Sequence, residues 1–182
     1  VNNIQGLAFE DCRSLTSISI PSGVTRIRQG AFSGCDKLSS VTIPSGVDVI
    51  EPWAFSNCVS LSTISLPTST SKIEEEAFMG CSKLASVYCT ASTPPMLESS
   101  VFSGISSSAV LYVLKNLESS YMAAEWDSYF SRIDVISGNC GSNLTWTLCN
   151  GGELIIEGQG AMTNYSYNIS APWIKYSNSI TK

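Results

Sequence analysis

Ala31-Phe32-Ser33-Gly34-Cys35-Asp36-Lys37-Leu38-Ser39-Ser40-Val41-Thr42-Ile43-Pro44 decides the fold, because its columns recur along the chain. They return as Ala8-Phe9, Cys12, Leu15, Ile18 and Ile20-Pro21, and as Ala54-Phe55, Cys58, Leu61, Ile64 and Leu66-Pro67. Ala77-Phe78, Cys81, Leu84, Val87 and Cys89 complete the set. The step is 23 residues in every column, so Phe9, Phe32, Phe55 and Phe78 form one series and Cys12, Cys35, Cys58 and Cys81 another. A fixed period in this range predicts a solenoid, in which each repeat buries its apolar residues against its neighbours.

Within a repeat, Leu15, Ile18 and Ile20 follow the leucine-rich spacing L-x-x-L-x-L. Alternation of Ile18 and Ile20 with Ser17 and Ser19 predicts a short strand with one buried face. Pro21 lacks a donor and ends the strand, Ser22-Gly23 turns the chain, and Val24 and Ile27 point inward on its return. Ala31-Phe32 and Cys35 then supply the apolar side of a short helical or irregular turn. Stacking predicts a right-handed solenoid with one parallel sheet through Ser17–Ile20, Ser40–Ile43, Thr63–Leu66 and Ser86–Cys89, on the concave face. Cysteines one repeat apart fall within disulfide range, yet equivalent side chains point the same way. Small buried thiols are therefore expected, with a disulfide ladder as the alternative.

Composition bounds the function. The 182 residues are 43% hydrophobic and 14% charged, enough for a sizeable core in one or two domains. A net charge of −5 argues against a nucleic-acid partner and against an anionic membrane surface. No run of about 18 apolar residues is present to insert into a bilayer. Histidine is absent, which removes the commonest general base and metal ligand. The seven cysteines lack Cys-x-x-Cys spacing, so neither a metal nor another cofactor is expected. Val1 enters partway through a repeat, and a piece of a longer chain is expected.

The period slips after Cys89. Phe102 follows Phe78 by 24 residues, Leu97 takes the place of Ile73, and Thr93-Pro94-Pro95 interrupts the chain. Leu111-Tyr112-Val113 predicts a further strand. Asn116 to Trp126 predicts an amphipathic helix with Asn116 as its N-cap, and Ile133–Ile136 a last strand. Residues 1–136 are thus expected to form the array, with a cap over about 94–136 covering its apolar end. Ser137 to Gly141 reads as a linker. Residues 137–182 are expected to form a small, truncated β-hairpin module: Leu144–Leu148 and Leu154–Ile156 flank the turn signal Asn150-Gly151-Gly152. Some 45 residues make a marginal core, so this module is expected to lean on the array. Cys140 and Cys149 are the one pair to consider for a disulfide, but an extended strand between them holds them apart unless the chain reverses between Gly141 and Asn143, so both are expected to be free.

The columns Ala-Phe-x-x-Cys-x-x-Leu-x-x-Ile-x-Ile-Pro, followed by Ser-Gly-Val-x-x-Ile, resemble the BspA-like (Treponema pallidum-type) leucine-rich repeats over about residues 4–90. Residues 93–130 resemble the cap that closes such arrays. Cys140-Gly141, Leu144-Thr145-Trp146-Thr147-Leu148, Gly158-Gln159-Gly160-Ala161-Met162 and Ala171-Pro172-Trp173 resemble a small β module that precedes further repeats. Leu114, where the cap usually has Pro, and Cys149, at a usually polar position, depart from the pattern. The resemblance implies a secreted or cell-surface binding protein, adhesin-like toward host or matrix proteins, with no catalytic residue. Not being an enzyme, the chain would act as a binding module; the alternatives are an architectural spacer and a glycan-binding module.

The outward strand positions are the candidate ligand site: Ser17 and Ser19, Ser40 and Thr42, Thr63 and Ser65, Ser86 and Tyr88. Rows of hydroxyls suit an extended peptide or a glycan; equally, small polar residues simply tolerate tight parallel packing. If Val113 replaces Cys89, Tyr112 falls beside Tyr88, with Asp134 one strand further. Adjacent tyrosines suit recognition, or stiffen the junction with the cap. Glu74-Glu75-Glu76 reads as a solvated turn and Trp53 as a packing residue. Asn143, Asn164 and Asn168 begin glycosylation signals that have meaning only in a eukaryotic secretory host.

Overall fold

The computed structural model describes residues 4–149, 152–163, 165 and 171–180. The turn at Asn150-Gly151 and the acceptors Asn164 and Asn168 lie outside the described residues. The repeats form a solenoid of about five turns, with strands β1 (Ser17–Ser19), β2 (Arg26–Ile27), β3 (Ser40–Thr42), β4 (Val49–Ile50), β5 (Thr63–Leu66), β6 (Lys72–Ile73), β7 (Ser86–Cys89), β8 (Met96–Leu97) and β9 (Val110–Val113). Helix α1 (Glu118–Ala123), a 3-10 turn (Trp126–Tyr129) and β10 (Arg132–Val135) follow. Strands β11 (Ser137–Asn139), β12 (Leu144–Leu148) and β13 (Leu154–Gly158) and a second 3-10 turn (Ile174–Ser179) complete the described chain.

The sequence register is the observed one. Ser17 pairs with Ser40, Thr63 with Ser86 and Tyr88 with Tyr112, all parallel. The single sheet expected is instead two ladders, β1-β3 and β5-β7-β9-β10. Proline explains part of the difference. Thr90 N–H donates to Leu66 O and carries the β5-β7 ladder to its end, whereas Pro44 and Pro67 have no N–H to offer Ile20 and Ile43. β1 and β3 accordingly stop one residue short. Nothing in the structure accounts for the lapse of the remaining bonds between β3 and β5.

A second parallel sheet, β2-β4-β6-β8, stands where the sequence suggests only a returning segment. Two residues per strand give no periodicity to detect. Between the two sheets, the irregular turns hydrogen-bond to one another at each step: Phe9 N–H to Ala31 O, Phe32 to Ala54, Phe55 to Ala77 and Phe78 to Val101. Two residues of each such turn have positive φ. Leu7, Gly30, Trp53, Glu76 and Ser100 form one column, and Asp11, Gly34, Asn57, Gly80 and Gly104 the other. Only the second column favours Gly, Asn and Asp, the residues that adopt this conformation most readily. Trp53 lies 39% exposed in the first, its indole N–H donating to Glu76 Oε2 at 3.0 Å.

Inside, the phenylalanines stack. Phe9, Phe32, Phe55, Phe78 and Phe102 lie with successive centroids 5.3–5.4 Å apart and ring planes within 10°. Beside them, the thiols of Cys35, Cys58 and Cys81 donate to the carbonyls of Phe9, Phe32 and Phe55 at 3.1–3.2 Å. All seven cysteines are free. Cys12, expected to be buried, is exposed: among the described residues no turn packs over its side of the stack.

The cap differs from its expected outline. The helix is shorter, starts from Leu117 with no side-chain cap, and Asn116 has φ +74° instead of acting as the N-cap. Tyr121 and Trp126 plug the core: the Tyr121 hydroxyl donates to Ala91 O at 3.0 Å, and the Trp126 indole to Pro95 O at 3.1 Å. The segment expected to be a linker contains strand β11, antiparallel to β12, which pairs with β13. This three-stranded sheet abuts the cap: Leu148 N–H donates to Ile136 O, and Lys115 N–H to Leu148 O. Trp146, Leu148 and Tyr176 join the same buried cluster as the repeats.

Phe55→Ala empties the middle of the ring stack and is expected to cost about 3–5 kcal/mol, read by denaturant unfolding; a near-neutral change would show that the column is not buried. The thiols supply a pH test. Burial, then the neighbouring Cys58 and Cys12, push Cys35 up to about 12, against roughly 8.5 in an unfolded chain. A folded-state value above the unfolded one means stability fully present below roughly pH 8.5 and lost as pH rises toward the folded value. The Cys35→Ala, Cys58→Ala, Cys81→Ala triple variant is expected to unfold more easily at neutral pH but with a flatter alkaline slope. An unchanged slope would show that the thiols do not contribute.

Candidate functional site

Each strand carries its outward residues because the inward ones are fixed by the core. Ile64, Leu66, Val87 and Cys89 are buried, which turns Thr63 and Ser65 out to solvent on the same strand path. Ser17, Ser19, Ser40, Thr42, Thr63 and Ser65 are all exposed, and Ser86 is half-buried. Register places them in two rows. One runs Ser17–Ser40, then Thr63–Ser86–Val110–Arg132; the other Ser19–Thr42, then Ser65–Tyr88–Tyr112–Asp134. The first row ceases to be polar at Val110, which is buried.

Tyr88 and Tyr112 are cross-strand partners with rings 4.6 Å apart and 12° from parallel. They do not form an open pair of rings: both are half-buried. Tyr176, from the last 3-10 turn, is 7% exposed and sets its ring 6.2 Å from Tyr88 and 5.9 Å from Trp146. Burial, then the neighbouring Tyr112, raises the Tyr88 hydroxyl above its ordinary value; burial raises Tyr176 likewise. Lys175 Nζ lies 4.9 Å from the centroids of both the Tyr88 and Tyr176 rings, within cation–π reach. Asp134 is engaged by Arg132 at 2.8 Å on its own strand.

A groove of about 520 Å³ opens between the strand ends and this last turn. Of the sequence candidates, Thr42, Ser65 and Tyr88 line it. Ser17, Ser19, Ser40, Thr63, Ser86, Tyr112 and Asp134 do not. Lys175 and Tyr176, which also line it, carry no sequence signal, because they belong to a segment without periodicity. Among the described residues, no cluster of His, Cys, Asp or Glu is placed to hold a metal. The triple glutamate is spent on local contacts: Glu74 meets Lys72, Glu75 accepts from Ser99, and Glu76 accepts from Trp53.

A family model described as the BspA type leucine rich repeat region matches residues 2–124 in six copies. The chain belongs to this BspA-type leucine-rich repeat family. A leucine-rich repeat protein of T. pallidum is 33% identical, with a TM-score of 0.53 over 60% of this chain and 50% of its own. A leucine rich cell surface protein of Faecalibacterium prausnitzii is also 33% identical, with a TM-score of 0.48 over 52% of this chain and 24% of its own. The pneumococcal vaccine antigen PcpA shares the fold at 17% identity, with a TM-score of 0.52 over 73% of this chain and 38% of its own. The BspA-type chain therefore spans half the length of the treponemal protein and about a quarter of the Faecalibacterium one. No match is found among curated proteins. The family and the fold class expected from the repeat columns are those found.

Removing the Tyr176 ring separates the last turn from Tyr88 and Trp146. Tyr176→Ala is expected to cost about 2–4 kcal/mol and to speed proteolysis after residue 170. Unchanged proteolysis would show that these ring contacts do not hold the turn.

Proposed function

We propose that this chain is a non-catalytic binding module of a secreted or cell-surface protein, adhesin-like, which engages an extracellular or host protein through the outward strand face. The observation that supports it most is the run of exposed hydroxyls at Ser17, Ser19, Ser40, Thr42, Thr63 and Ser65, presented in register within each of the two ladders. Such a face offers donors and acceptors at strand spacing and no formal charge. An extended partner laid on it is held by hydrogen bonds and shape, with weak salt dependence. Ion pairs line the other sheet, where Glu51 meets Arg26 and Arg28, and Lys72 meets Glu74 and Glu98. Surface display fits the likeness to a bacterial cell-surface leucine-rich repeat protein. Among the described residues, no helix is long and apolar enough to cross a membrane.

The test is an array of extracellular-matrix proteins and glycans probed with the parent and with a Ser40→Arg, Thr63→Arg variant. Both positions are exposed, so the variant is expected to melt within about 0.5 kcal/mol of the parent. Protein binding by the parent that falls tenfold or more in the variant is the expected result. Binding only to glycans would replace the protein partner by a sugar, and binding to neither would leave an architectural spacer.

A further inference from the structure

The groove at the end of the strand face has a chemistry that the hydroxyl rows lack. Its lining includes Val41, Ile43 and Leu66, an apolar floor, with Thr42 and Ser65 beside it. Val41 belongs to the inward column in which Ile64 and Val87 are 1% and 0% exposed, yet Val41 is half-buried and reaches the groove. It does so at the place where the ladder lapses between β3 and β5. Among the described residues, Lys175 is the one charged residue of the lining. Its ammonium rests over the Tyr88 and Tyr176 rings, and among the described residues no carboxylate pairs with it. In a chain of net charge −5, this is a local inversion of sign beside an open apolar floor.

We propose that this groove binds an extended peptide segment carrying an apolar side chain next to an acidic one. The apolar side chain covers Val41, Ile43 and Leu66, and the carboxylate pairs with Lys175. This rests on the reading of the chain as a protein-binding module and narrows it to one kind of segment at one end of the face. Charge complementarity selects the acid. The ring faces are electron-rich, so they hold the ammonium and repel an anion, leaving the outward side of Lys175 as the attraction for a carboxylate. A charge-assisted hydrogen bond there is stronger than any neutral pair the hydroxyls make. The floor rewards burial of an aliphatic side chain, and Thr42 and Ser65 supply orientation. A volume of about 520 Å³ suits a short segment and not a folded domain.

The test uses a positional-scanning library of N-acetylated hexapeptide amides, whose only carboxylates are side chains, with a free-acid library and uronate oligosaccharides as parallel arms. Enrichment of Asp or Glu adjacent to Val, Ile or Leu in the amide arm is expected. Lys175→Met, at an exposed position, is expected to weaken the best acidic peptide about tenfold. The variant should also lose the peptide's salt dependence and keep the aliphatic preference. Thr42→Arg, which fills the groove, is expected to abolish binding of that peptide. Binding only in the free-acid or uronate arms, enrichment of Lys or Arg, or indifference to Lys175→Met each overturns the proposal. A partner from the matrix array that needs Ser40 and Thr63 but ignores Lys175→Met would overturn it while leaving the binding-module reading in place.

Discussion

Each turn of this solenoid has to lay a phenylalanine ring on the ring before it and bring a thiol to that earlier phenylalanine's carbonyl. Both contacts span one repeat, and together they fix the axial step. Rings 5.3 Å apart and nearly parallel are offset stacks, which the backbone spacing of adjacent strands permits without tilting the turn. The carbonyl of Phe32 already accepts the Cys35 N–H of its own turn, so the second acceptor site needs only a weak donor, and the Cys58 thiol provides it. Cysteine fits because it is apolar enough to be buried and still donates. A larger residue would wedge the turns apart. A change of column length would take ring and thiol out of register together.

What happens at the ends follows from losing those contacts. Among the described residues Cys12 has no earlier carbonyl to reach, and it is exposed. At the other end Phe102 still stacks, but Ile105 stands where a fifth thiol would be, and the next rings turn edge-on: Trp126 and Phe130 meet Phe102 at 49° and 60°. The column of parallel rings thus stops in a cluster of crossed ones, which leaves no flat face for another turn. The polar side of the ending is met by Tyr121 and Trp126, whose donors go to Ala91 and Pro95 in the loop where the period slips. The irregular loop and the cap are one solution: the first exposes carbonyls inward, and the second satisfies them.

The parts of the molecule that repeat were legible in the sequence, and the parts that do not were legible only in outline. Four copies of each column gave the strand register to the residue, including Tyr88 against Tyr112 and Ile73 against Leu97. The second sheet was missed because two-residue strands have no alternation, and β11 because Ser137-Gly138-Asn139 has a turn composition that pairing with β12 overrides. Asn116 resembled an N-cap but adopts the left-handed conformation that Asn tolerates, so the helix begins later. The hydroxyl rows followed from register alone. The groove did not, since Lys175 and Tyr176 approach the strands from a segment about ninety residues away from Tyr88 with no pattern to announce it.

Charge is what separates the two surfaces of the array. On the sheet of β2, β4, β6 and β8, Glu51 and Glu98 are set against bases about one repeat away, and Glu74 against Lys72 on its own turn. Burial opposes ionisation of Glu51, yet hydrogen bonds from Arg26 and the Gln29 backbone, with Arg28 nearby, hold its carboxyl below the usual range. Lys72 bridges Glu74 and Glu98 in the same manner. Such pairs contribute little stability when exposed. Their larger effect is to neutralise that flank locally, while the strand face is uncharged from Ser17 to Ser86 because its outward residues there are Ser and Thr. Lys175 enters this neutral field from outside the repeats. Among the described residues its ammonium is the one formal charge lining the groove, and ring faces in place of a carboxylate hold it there. A cation placed this way retains its attraction for an incoming anion, because the rings position the charge without cancelling it.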